Sequence, residues 1–138
     1  QIRRLVRDNL YSVPGAVGMN NHMGSLVTAD ERIMAVVLDE ARRAGVYFID
    51  SLTVGDSVVH SVASRMNVPA WERSVFLDNV PDRSSIAHFI TEGTKLAEKR
   101  GYAVMIGHVW SAQLAQTLAE LYPQLVEQGF PCLPFPKS

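Results

Sequence analysis

Three short stretches carry the side chains able to do chemistry: Asn20-Asn21-His22-Met23-Gly24-Ser25, Asp50-Ser51 and Gly107-His108. Each follows an apolar run suited to a strand. An imidazole with an unperturbed pKa of about 6.5 exchanges protons near neutrality, which suits His108 to general-acid work; its other reading is a histidine packed under Trp110. Asp50 either orients an imidazole, hydrogen-bonds a substrate hydroxyl or caps the following helix. Asn20, Asn21, Ser25 and Ser51 read as ligand contacts or as turn formers. His22 reads as a site residue or as a strand-end histidine bonded to backbone. With no histidine at i+4 and no neighbouring carboxylate, its spacing gives no metal signature. Trp110 suits rim packing or the stacking of a sugar ring. Asp78-Asn79 reads as a turn, and His60 and His88 as surface or boundary positions on helices.

The elements that must position these groups alternate. A helix over residues 2–12 is stopped by Pro14-Gly15. A strand over about 15–20 delivers the Asn-Asn-His cluster, and Gly24 permits a tight turn after it. Thr28-Ala29-Asp30-Glu31 reads as a capping box with Thr28 as N-cap. The helix that follows buries Ile33, Met34, Val37, Leu38 and Ala41 and is closed by Gly45. Val46-Tyr47-Phe48-Ile49 is a strand buried on both faces. A helix over about 56–66, a strand over 74–77, a helix over about 84–99 and a strand over 102–106 follow. The last helix, about 111–128, contains Pro123, which predicts a kink or two shorter helices. Cys132-Leu133 is expected to form a final short strand.

Five strands joined by crossover helices must run parallel in an α/β fold. The polar strand ends then share one rim, the edge where such folds bind ligands, and His22, Asp50 and His108 are expected to converge there. The strand count is short of a closed barrel, so the fold is an open sheet or part of a barrel.

Composition excludes several classes. The 138 residues carry a net charge of −1 and 20% charged residues, without the basic stripe of a nucleic-acid module. No apolar run reaches the ~20 residues of a membrane span. The single cysteine rules out an internal disulfide and a cysteine-cluster metal site. Neither a phosphate-binding glycine loop nor a Gly-x-Ser-x-Gly elbow is present. The amphipathic opening Gln1-Ile2-Arg3-Arg4 is not a signal peptide, and the missing initiator Met reads as a cut or trimmed chain.

Gly18-Met19-Asn20-Asn21-His22-Met23-Gly24-Ser25 resembles the hallmark of the divergent polysaccharide deacetylases. The resemblance continues through Tyr47-Phe48-Ile49-Asp50-Ser51, Val75-Phe76-Leu77-Asp78-Asn79 and Met105-Ile106-Gly107-His108, in order and spacing. It implies a distorted (β/α) barrel with the site at the C-terminal strand ends, and metal-assisted deacetylation of an N-acetylated sugar in the cell envelope or periplasm. The metal would be divalent, usually zinc. By position His108 resembles the acid that protonates the departing amine, His22 a residue that lines the metal centre or ligates the metal, and Asp50 a residue orienting neighbouring site groups. Asn20, Asn21, Ser25, Ser51 and Trp110 would line the substrate site.

Two departures shape the expectation. Family members begin with a strand ending in an Asp-Asp pair and carry a later Gly-His-Glu…His segment, which hold the base and most metal ligands; neither is in this sequence. Residues 1–138 are therefore expected to be the C-terminal portion of a single domain, with an incomplete metal site and a surface open to self-association. Val109 also stands where the family commonly has Pro. The competing function is a non-catalytic glycan-binding or envelope-scaffold protein on the same fold.

Overall fold

Helix α1 (Ile2–Tyr11) buries Val6 and sends Arg3 and Arg7 onto helix α3 (Glu31–Ala44). There Arg3 pairs with Asp39 and Glu40, and Arg7 holds Glu40 at 2.9 and 3.1 Å. This is a computed structural model of the chain, described over residues 1–136. The chain divides into two units, residues 1–72 and 73–136.

In the first unit, β1 (Gly18–Asn20) pairs parallel with β2 (Tyr47–Asp50), which pairs parallel with β3 (Ala70–Glu72). Met19, Phe48 and Ala70 are register partners, so parallel pleating sets them on one face. That face packs on Met34, Val37 and Leu38 of α3 and on Val59, Val62 and Ala63 of α4 (Val59–Met66). Phe48 is almost fully buried, and removing such a ring costs about 3–5 kcal/mol.

In the second unit, β4 (Val75–Phe76) and β5 (Met105–Ile106) run parallel, joined by the crossover helix α5 (Arg83–Arg100). Helix α6 (Ala112–Glu127) follows β5. Val75, Leu77, Ile86, Ile90 and Leu114 form the core. Each helix starts on a side-chain cap: Asp82 accepts from Ser85 N–H, and Ser111 Oγ from Leu114 N–H.

Parallel strands alternating with helices match the sequence expectation, with local differences. Thr28 is not the cap of α3. It ends a separate short helix, α2 (Ser25–Thr28), and its buried hydroxyl donates to the Gly24 and Ser25 carbonyls. Asp30 takes the cap instead, accepting from Arg32 and Ile33 N–H at 2.8 and 3.0 Å. Helix α4 begins at Val59, not near Asp56, because the preceding loop is held by Asp50 through Ser57 and by Thr28 through Val58 N–H. A strand the sequence reading missed, β3, leads into β4 with no helix between them.

The C-terminal end differs too. Helix α6 runs through Pro123 as one element, because the carbonyl of Ala119 that the proline leaves unpaired within the helix belongs to an exposed residue, where water can serve it. Cys132-Leu133 forms no strand. The flanking Pro131 and Pro134 lack ladder donors, and Cys132 N–H donates to Tyr122 Oη at 3.3 Å.

Candidate functional site

His108 lies two residues beyond β5, and Asp78 two residues beyond β4. Phe76 and Ile106 are register partners, so equal offsets carry Asp78 and His108 to facing positions. The carboxylate uses both oxygens on the histidine. Oδ2 accepts the His108 backbone N–H at 2.9 Å, and Oδ1 lies 3.0 Å from Nδ1. Asp78's side chain is 2% exposed and His108's is 29% exposed, so a buried acceptor orients a ring that reaches the surface. Asp78, read as a turn residue in the sequence, is the site residue that reading missed. The available signal was the shared offset of Asp78 and His108 from two consecutive parallel strands.

Aromatic rings hold the imidazole as well. The Phe76 ring lies parallel to it, within 5° at 6.4 Å, and Trp110 tilts against it at 4.4 Å. The Arg73 guanidinium sits 4.3 Å over Phe76. Gly107 allows this strand end to reach α6, since a Cβ there would come within 2.1 Å of Leu114 Cδ2. His108, Asp78 and Trp110 line an open cleft of about 540 Å³ together with Asn79, Pro81, Ser111 and Gln113. Trp110 is 71% exposed.

In the first unit, the loops after β1 and β2 are laced together. Asn21 Oδ1 accepts from Ser51 N–H at 2.9 Å, and Ser51 Oγ donates to the Asn21 carbonyl at 2.7 Å. Asn20 Nδ2 donates to Ser51 Oγ at 3.2 Å. Ser25 Oγ reaches Thr53 Oγ1 at 3.3 Å. Asp50 is fully buried, accepting from Leu52 N–H at 2.9 Å and from Ser57 Oγ at 2.5 Å, which ties down the entry to α4. His22 sits exposed in the first of these loops.

The family resemblance implies a divalent metal. Among the described residues, no group of three His, Cys, Asp or Glu side chains is placed to hold one. The Asp50 oxygens accept from their own loop, and those of Asp78 from His108. These donors do not make up such a centre among the described residues.

The model of the divergent polysaccharide deacetylase family matches residues 1–137. The chain belongs to that family. Among curated proteins, this deacetylase-family chain is 35% identical over 108 residues to the uncharacterized protein YibQ of Escherichia coli K12, covering 78% of the chain and 34% of YibQ. It is 34% identical over 106 residues to an uncharacterized protein of Haemophilus influenzae, covering 77% of the chain and 35% of that protein. The chain thus spans about a third of the length of these relatives. A crystal structure of an uncharacterized protein from Agrobacterium tumefaciens C58 shares the fold, with a TM-score of 0.83 and 16% identity over 91% of this chain and 52% of that one. No helix among the described residues is long and apolar enough to cross a membrane.

Proposed function

We propose that this chain forms the C-terminal portion of a deacetylase-like domain that hydrolyses the amide of N-acetylated cell-envelope glycan, in the periplasm or envelope. The observation that carries the reading is the Asp78–His108 pair at the mouth of an open cleft. When the acetyl C–N bond breaks, the departing amine nitrogen needs a proton, and His108 Nε2 supplies it. Asp78 holds the ring in register through its bonds to Nδ1 and to the His108 backbone N–H. Trp110, exposed beside the acid, offers a face for the apolar side of a sugar ring, with Asn79 and Gln113 as hydrogen-bonding neighbours. Asp50 acts within its own unit, by fixing the loop that Ser51 begins. By family resemblance His22 would line a divalent-cation site, usually zinc, to which it would bring one imidazole.

The test is acetate release from N-acetylated oligosaccharide by the full-length protein, with zinc supplied. His108→Ala is expected to lower the rate by about 10²–10⁴-fold while the protein stays folded. Full activity in that variant would remove the acid role. Glycan binding without any acetate release by the wild-type protein would make it a binding or scaffold protein instead.

A further inference from the structure

We propose that Asn21 and Ser51 are positioning residues that present His22, rather than groups that touch a ligand. The inference rests on the hydrolase reading only for what His22 does afterwards; the presentation stands on geometry. Both halves of the Asn21 carboxamide are engaged on backbone: Oδ1 takes the Ser51 N–H, and Nδ2 donates to the Met23 carbonyl at 2.9 Å. Ser51, 3% exposed, returns its hydroxyl to the Asn21 carbonyl. The Met23 carbonyl also accepts from Thr53 Oγ1 at 3.2 Å. His22 therefore stands between two residues that are each tied to the loop after β2, while its own side chain is at the exposed surface.

The backbone shows what this lacing holds in place. Met23 has φ +58° and is followed by Gly24 at +81°, so a methionine occupies the left-handed region. Such a residue is strained relative to glycine there and persists only where its surroundings over-determine it. Turning the chain alone would be done at lower cost by glycine or asparagine at position 23. A strained turn whose neighbours are committed to backbone bonds is the construction expected for holding one side chain in a set orientation. Asn20 supports the same lacing through Ser51 Oγ.

The test uses full-length protein with isotope-labelled histidine. In Asn21→Ala and Ser51→Ala, the His22 ring resonances are expected to shift or broaden while those of His60 and His88 stay in place. Asn21→Asp, which keeps the acceptor for Ser51 N–H, should lie closer to wild type. In acetate release, Asn21→Ala should lower kcat about as much as His22→Ala, and the double variant should be no worse than His22→Ala alone. Unchanged His22 resonances in folded Asn21→Ala and Ser51→Ala would overturn the proposal. So would a raised KM at unchanged kcat, the signature of a substrate contact. If wild-type protein releases no acetate, the hydrolase reading fails and the resonances alone decide this one.

Discussion

Asp78 and His108 are 30 residues apart in sequence, yet one carboxylate binds both the backbone N–H and the Nδ1 of the other residue, at 2.9 and 3.0 Å. The double attachment fixes ring position and ring rotation together. A bond to Nδ1 alone would orient the imidazole but leave its backbone free to drift. The parallel register of β4 with β5 makes the arrangement possible, because both residues leave their strands at the same offset.

Asp78→Asn tests the charge separately from the shape. The amide can still accept the His108 backbone N–H, so the melting temperature should change little. Loss of the negative charge at Nδ1 should lower kcat by about 10²-fold or more with KM nearly unchanged. Acetate-release kinetics beside a thermal melt read both quantities, and equal kcat values would show that Asp78 is only a structural acceptor.

Trp110 is exposed enough that its removal should not cost stability. Trp110→Ala should raise KM for an oligosaccharide by about three- to tenfold, the range expected for losing one ring contact. Steady-state kinetics together with a melt decide this. An unchanged KM would move the sugar platform elsewhere.

Gly107 has no room for a side chain, because its missing Cβ faces the nearly buried Leu114. Gly107→Ala should destabilise the protein by about 1–3 kcal/mol, the usual cost of overpacking, and displace His108 with it. Adding Leu114→Ala should recover part of that loss. Urea unfolding of the two single variants and the double variant measures the coupling, and strict additivity would contradict the steric account.

Acid should weaken the α1–α3 junction. Hydrogen bonds from Arg3, then from Arg42, hold Asp39 far below the usual carboxylate range, and Arg7 foremost lowers Glu40. Depressed folded-state values mean that this stability is fully present above the unfolded carboxylate values, near about pH 4–4.5, and is lost as pH falls through the folded ones. Urea unfolding at pH 6 and pH 3 should show a stability gap that is smaller in Arg7→Ala than in wild type. An equal gap would place the acid sensitivity elsewhere.

Much of the frame could be read along the chain. The helix now running Glu31–Ala44 shows its apolar face, its basic last turn and Gly45 as its stop, and the structure keeps all three. Its start lies two residues beyond the one Thr28 predicts, because Asp30, by type the stronger cap, accepts from Arg32 and Ile33 N–H. Burial of the Thr28 side chain chose between the two caps. Strand β3 escaped notice because three residues after a proline show no alternation, and pairing with β2 defines it. Asp78 looked like a turn residue for a similar reason: its partner is named by strand register, which no local window contains.

The sequence by itself determined the α/β alternation, the apolar faces of the long helices and the polar residues waiting at the strand ends. Those are properties of neighbouring residues: periodicity, capping chemistry and the φ limits of glycine and proline. Only the tertiary structure decided what the polar residues bind. It turned Asn21 and Ser51 onto each other, Asp50 onto its own loop and Asp78 onto His108. A hydrogen bond needs its partner at about 3 Å, and for residues some thirty positions apart that distance is set by the pairing of strands.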